Sequence, residues 1–143
     1  MKALGQRQED APGKIVVAYD GSPQARTALL HAAAIVGPGS RITVVNVIPV
    51  LGVSARLETV RDTQDDEQRR LLHEAGALLG RKGVKADLVA VIGDPFAEIL
   101  AAATAAGAGT IVIGKARRRR PPLRLSVGER LVRRATCDVL VVH

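Results

Sequence analysis

Ile15-Val16-Val17-Ala18-Tyr19-Asp20-Gly21-Ser22-Pro23 holds a strand, a turn and a helix start within nine residues. Residues 15–19 form a short apolar run rich in β-branched side chains, the composition of a buried strand. Ser22 offers a hydroxyl to the unpaired amides of a first helical turn, and Pro23 suits the first helical position, where its missing N–H costs nothing. A helix from about Pro23 to Val36 is expected, stopped by Gly37.

The same alternation recurs along the chain. Ile42 to Val47, Leu88 to Ile92, Thr110 to Ile113 and Val139 to Val142 read as further strands. They are almost continuously apolar, as expected of a parallel sheet covered on both faces. Asp94-Pro95 repeats the cap and opens a helix to about Ala106. Gly107-Ala108-Gly109 precedes a strand and reads as a helix stop and turn. Ser126 with Glu129 three residues later is a capping box for a helix from about Val127 to Ala135. Asp62 to Lys82 is acidic at its start and basic at its end, with an apolar stripe of Leu71, Leu72, Ala75, Leu78 and Leu79. Four helices alternating with five strands predict an α/β fold, a doubly wound parallel sheet with right-handed crossovers.

Composition bounds the function. The 143 residues suit one domain, and 47% hydrophobic content is enough to build a core. One Phe, one Tyr and no Trp exclude an aromatic platform for single-stranded nucleic acid, and one Cys excludes an internal disulfide. The longest mildly apolar stretch, Ile99 to Ile113, is mostly Ala, Gly and Thr, so no membrane span is expected. Residues 1–13 are polar, aperiodic and without the apolar stretch of a signal peptide, so a mobile tail before a single domain at 14–143 and a cytoplasmic protein are expected.

The net charge of +7 is concentrated: residues 114–134 carry nine basic residues, Arg117 to Arg120 among them, against the single acid Glu129. That segment sums to +8 and leaves −1 for the rest of the chain. Charge focused in this way points to an anionic partner at one place, although a run of arginines also suits a solvated loop.

In a doubly wound sheet, ligands bind beyond the carboxyl ends of the strands, where the strand order reverses. The order 3-2-1-4-5, the commoner solution for five strands wound both ways, makes the first and fourth strands neighbours. Asp20-Gly21-Ser22 and Gly114-Lys115-Ala116-Arg117 then share one crevice. Helix amino termini at Ser22 and Ser126 would favour an anion there, while each serine is also explained as a cap. Asp20 could bind a hydroxyl, or serve as the turn residue before Gly21. No GxxxxGK[ST] loop or dinucleotide fingerprint occurs. His31, His73, His143 and Cys137 have neither metal-site nor nucleophile-base spacing, so no catalytic residue is assigned.

Several of these residues resemble the universal stress protein family. Val16-Val17-Ala18-Tyr19-Asp20-Gly21-Ser22-Pro23 is similar to its opening, and Val45-Asn46-Val47-Ile48-Pro49 to its second strand. Gly93-Asp94-Pro95, Thr110-Ile111-Val112-Ile113-Gly114 and Ser126 to Val142 resemble its third helix, fourth strand and closing unit. The resemblance implies a 3-2-1-4-5 Rossmann-like sheet, usually dimeric, and an adenine nucleotide in the crevice just described; in that order Val139 to Val142 is an apolar sheet edge, so a homodimer through the C-terminal strand is expected. In the family's nucleotide-binding members the acid matching Asp20 lies by the ribose and the backbone matching Val47 faces adenine. Their phosphates are wrapped by a G-x-x-G-x9-G-[ST] loop. Here Gly114 fits the first glycine and Ser126 the closing hydroxyl, but Arg117 replaces the second glycine, Leu125 stands where the third would be, and the connection is two residues shorter. Side chains at those two positions remove pre-organised backbone donors, which arginines could replace by bidentate contacts.

The expectation is a stress-response adaptor that binds ATP, with Mg2+ as its companion, more weakly than motif-complete members and without efficient turnover. Its binding residues would be Asp20, Gly21, Ser22, Val47, Gly114, Lys115, Arg117, Ser126 and Val127. The alternative is a nucleotide-free module whose basic loop docks an acidic protein partner or other polyanion. Specific nucleic-acid binding lacks a groove-reading motif.

Overall fold

The structure, a computed structural model, describes residues 13–50, 58–116 and 125–143. The arginine run at 117–120, Pro121-Pro122 and all of the expected tail except Gly13 lie outside them. The elements alternate as β1 (Ile15–Ala18), α1 (Pro23–Val36), β2 (Arg41–Ile48), α2 (Glu58–Gly80), β3 (Lys85–Ile92), α3 (Pro95–Ala106), β4 (Thr110–Gly114), α4 (Val127–Arg134) and β5 (Asp138–Val142). The strands form one sheet in the order β3-β2-β1-β4-β5, with every pairing parallel. Val17 of the central strand sits level with Val44 on one side and Val112 on the other. The expected fold and strand order are both borne out.

The caps form as read. Ser22 Oγ accepts from the Ala25 N–H and Asp94 Oδ2 from the Ala97 N–H, each ahead of a proline. Gly107 closes α3 in the left-handed region at φ 64°. α1 buries Ala25, Ala28, Leu29, Ala32 and Ala33, a helical stripe whose small side chains let it lie close to the sheet. α1 and α2 cover one face, joining Ile15, Val17, Ile42 and Val44 to Leu29, Leu72, Ala75 and Leu79. α3 and α4 cover the other, with Val16, Val45, Ile99, Ile111 and Leu131. Adjacent residues of β1 thus serve opposite cores, which is why that strand reads as continuously apolar.

Several boundaries differ from the expected ones, α2 beginning at Glu58 and not Asp62 among them, and two of the differences have a plain physical reason. β3 begins at Lys85, three residues before the apolar run, because it is an edge strand whose polar residues face solvent. α2 ends at Gly80, so Arg81 and Lys82 stand in the turn beyond it and not in its last turn. Among the described residues, no helix is long and apolar enough to cross a membrane.

Candidate functional site

β1 stops at Ala18 between two longer neighbours, leaving a notch at the carboxyl edge where the winding reverses. The Tyr19 N–H still donates to Val45 O at 2.9 Å, and the chain then turns away. Asp20 makes that turn: its Oδ1 accepts from the Ser22 N–H at 2.9 Å. Its side chain is exposed, and Oδ2 has no bond to the described residues. Gly21 follows at φ 82°, with Leu71 of α2 seated against it, and a Cβ there would lie 2.4 Å from Leu71 Cδ2.

Val47 forms the opposite wall. Backbone groups of alternate residues in a strand point to alternate neighbours. Val45 O faces β1, where it accepts from Tyr19, and Ile48 O faces β3, where it accepts from the Gly93 N–H at 2.9 Å. Val47 shares the orientation of Val45. Its N–H and C=O therefore face the notch, one step past the last bond between β1 and β2. Its side chain, like those of Ala18, Ile113 and Val127, packs against the cluster beneath α3 and α4.

Gly114 ends β4 on the third side, level with the start of α1. Lys115 is exposed, and its N–H donates to Val142 O at 2.7 Å, so its backbone continues the β4–β5 ladder. Ser126 caps α4: Ser126 Oγ accepts from the Glu129 N–H, and Glu129 Oε1 accepts from the Ser126 N–H, both at 3.1 Å. The capping box thereby occupies two amides of that terminus with the protein's own groups and leaves those of Val127 and Gly128. Arg117 lies outside the described residues. On α4, the Arg130 guanidinium stacks 4.2 Å from the Phe96 ring centroid and joins α4 to α3.

Beneath the notch, on the α1–α2 side, runs a polar network that reading the sequence missed. Buried Asn46 donates through Nδ2 to Tyr19 O at 2.8 Å. Buried Gln68 donates through Nε2 to Asn46 O at 2.9 Å and to Val91 O at 3.0 Å. The Tyr19 hydroxyl donates to Glu74, which also faces Arg26 and Arg70. Burial, reinforced by Glu74, pushes the Tyr19 hydroxyl up to about 12. The Tyr19 hydrogen bond, with help from the two arginines, holds Glu74 below the usual carboxylate range. One signal was legible: Gln68 is a polar residue on the same helical stripe as Leu72, Ala75 and Leu79, and Asn46 interrupts an apolar strand.

The described residues include no group of three or more His, Cys, Asp or Glu that could hold a metal ion. Among the described residues, the groups left facing the notch are the Val47 N–H and C=O and Asp20 Oδ2, one donor and two acceptors.

A family model described as the universal stress protein family matches residues 12–143. No curated protein matches. Among solved structures, a universal stress protein family member from Burkholderia pseudomallei is 30% identical, with a TM-score of 0.75 over 93% of this chain and 97% of that one. A universal stress protein in complex with cAMP is 23% identical, with a TM-score of 0.76 over 94% and 99% of the two chains. One from Archaeoglobus fulgidus in complex with dAMP is 21% identical, with a TM-score of 0.67 over 93% and 99%.

Proposed function

This chain belongs to the universal stress protein family, and we propose on that premise that it binds an adenine nucleotide, ATP in the first instance, in the notch beyond β1. The observation that carries this reading is the orientation of Val47. A backbone N–H and C=O side by side match the donor and acceptor on the edge of adenine, and Asp20 stands in the turn that follows the neighbouring strand β1, with an oxygen available to a ribose hydroxyl. That two relatives of the same fold are described in complex with cAMP and with dAMP supports the adenine class.

Phosphate binding is the weaker half. It falls to the Val127 and Gly128 amides at the α4 dipole, to Lys115, and to Arg117, which stands in place of the motif's second glycine. Magnesium would arrive with the triphosphate. Among the described residues no general base stands by the Val127 and Gly128 amides, which supports a nucleotide-responsive adaptor in the cytoplasm over a hydrolase. It works as a homodimer joined along β5.

Calorimetry with ATP and magnesium at low salt tests the reading. Binding heat lost on Asp20→Ala is expected, and no heat at near-millimolar ligand would remove the proposal. The second reading, an interaction module docking an acidic protein, is favoured by one observation: the +8 charge of residues 114–134 coincides with the lost glycines. Replacing Arg117 to Arg120 by serine separates the two. Docking should then collapse, whereas a site built on Asp20 and Val47 should keep part of its nucleotide affinity.

A further inference from the structure

We infer that Asn46 is a positioning residue that keeps the Val47 backbone open to the nucleobase, and that Gln68 holds Asn46 in place. The inference rests on the nucleotide reading above and adds to it the device that makes adenine recognition available.

The argument follows from the ladder. The Tyr19 N–H donates to Val45 O, so the Tyr19 carbonyl points towards β2 as well. Regular continuation of the β1–β2 pairing would hand that carbonyl the N–H of Val47. In its place the Asn46 side chain reaches back and donates Nδ2 to Tyr19 O at 2.8 Å. The ladder ends there, and among the described residues no hydrogen bond joins Val47 N–H to Tyr19 O. An amide group one residue before Val47 has taken the partner that would have closed the notch.

Asn46 can do this only if its own backbone stays fixed, since a small rotation of β2 would let Val47 recapture Tyr19. Gln68 supplies the restraint. Its Nε2 spans Asn46 O and Val91 O on adjacent strands, spending both hydrogens on carbonyls. Both side chains are more than nine-tenths buried, so solvent does not compete for these bonds. Leu71 against Gly21 and Glu74 beneath the Tyr19 hydroxyl come from the same helix. One side of α2 thus steadies both the Asp20 turn and the strand that carries Val47.

Amide hydrogen exchange by NMR, with ATP and GTP titrations on the full chain, tests this. In ligand-free wild type the Val47 amide should exchange faster than that of Val45, and ATP with magnesium should slow it. Asn46→Ala should slow Val47 exchange in the free protein by about tenfold or more, because the released Tyr19 carbonyl accepts it. The same variant should weaken ATP by about tenfold and erase its preference over GTP. A residue that merely stabilised the fold would move exchange the other way and leave base preference intact. Leu79→Val, a core change at the far end of α2, should leave both readouts as in wild type.

An ATP-binding wild type whose Val47 amide is as protected as that of Val45 overturns the role of Asn46 alone, and needs no variant to fold. So does an Asn46→Ala protein with unchanged base preference. A wild type with an open Val47 amide that binds neither nucleotide removes the nucleotide reading, and the role assigned to Asn46 falls with it.

Discussion

Gly114 lies with its Cα directly against the backbone of Gln24: a Cβ built on it would meet the Gln24 carbonyl carbon at 2.6 Å and its oxygen at 2.7 Å. Both contacts are with main chain in the first turn of α1, so no side-chain rotation relieves them. Packing alone thus calls for glycine at this position, whether or not a phosphate binds. Gly114→Ala should destabilise the fold by about 1–3 kcal/mol, the usual cost of forcing extra volume into a packed site. Denaturant unfolding measures it, and a variant as stable as wild type would show that α1 can retreat freely.

Tyr19 is the chain's only tyrosine, so its ionisation can be followed in isolation by near-ultraviolet absorbance. Burial and the bond to Glu74 raise it from 10.0 to about 12 in the folded protein. Between those values the unfolded chain has lost a proton that the folded chain keeps. The stabilisation is therefore complete below pH 10 and disappears as pH climbs through about 12. The absorbance midpoint should lie near 12, and Glu74→Gln should lower it by removing the nearby negative charge. A native-state midpoint near 10 would mean that the Tyr19–Glu74 bond does not form in solution.

Glu74 works at the opposite end of the scale. Its carboxyl is held low by Tyr19, Arg26 and Arg70, so its contribution is present above the ordinary carboxylate range and fades as pH falls through the lowered value. Tyr19→Phe should therefore flatten the loss of stability on both acidification and alkalinisation, as read from thermal midpoints across pH.

What could be read from the sequence was local. Ser22-Pro23, Asp94-Pro95 and Ser126 with Glu129 fixed three helix starts, because a cap is a bond between residues three apart. The apolar pattern marks only Leu88 to Ile92 of β3, because Lys85 and Asp87 carry the polarity of an exposed sheet edge, and Asp87 answers Arg41 of β2 across the strand pair. The network around Asn46 was out of reach for a different reason. Tyr19 and Glu74 lie 55 residues apart, and the carbonyls that Gln68 serves belong to two separate strands. Asp20 and Gly114 were legible as site candidates because strand ends are local features. The free edge of Val47 emerges only once the register is known.

Ser126 has two candidate employments, and substitutions separate them. Ser126→Ala removes the capping bond to the Glu129 N–H and should cost about 0.5–2 kcal/mol. Ser126→Asp restores a good cap yet places a carboxylate where phosphates would approach, so stability should recover while ATP affinity falls further. Thermal unfolding and calorimetry on the pair decide it. An Asp variant that binds ATP as well as wild type would confine Ser126 to capping.

The proposed homodimer makes its demand on β5. Asp138 N–H donates to Gly109 O and Val142 O accepts from Lys115, so the even-numbered residues of this strand face β4. By alternation the N–H and C=O groups of Val139 and Val141 face outward, along an edge of half-buried apolar side chains. An edge of that kind invites pairing with a second copy. Val141→Pro deletes one outward donor and leaves the β4–β5 bonds untouched, so it should convert a dimer to a folded monomer with little loss of secondary structure. Light scattering with circular dichroism reads both. Wild type running as a monomer at tens of micromolar would mean that the β5 edge is covered otherwise and would remove the dimer; Val141→Pro remaining a dimer would place the contact elsewhere, with the exposed Leu88 and Ile92 of the β3 edge the next surface to test.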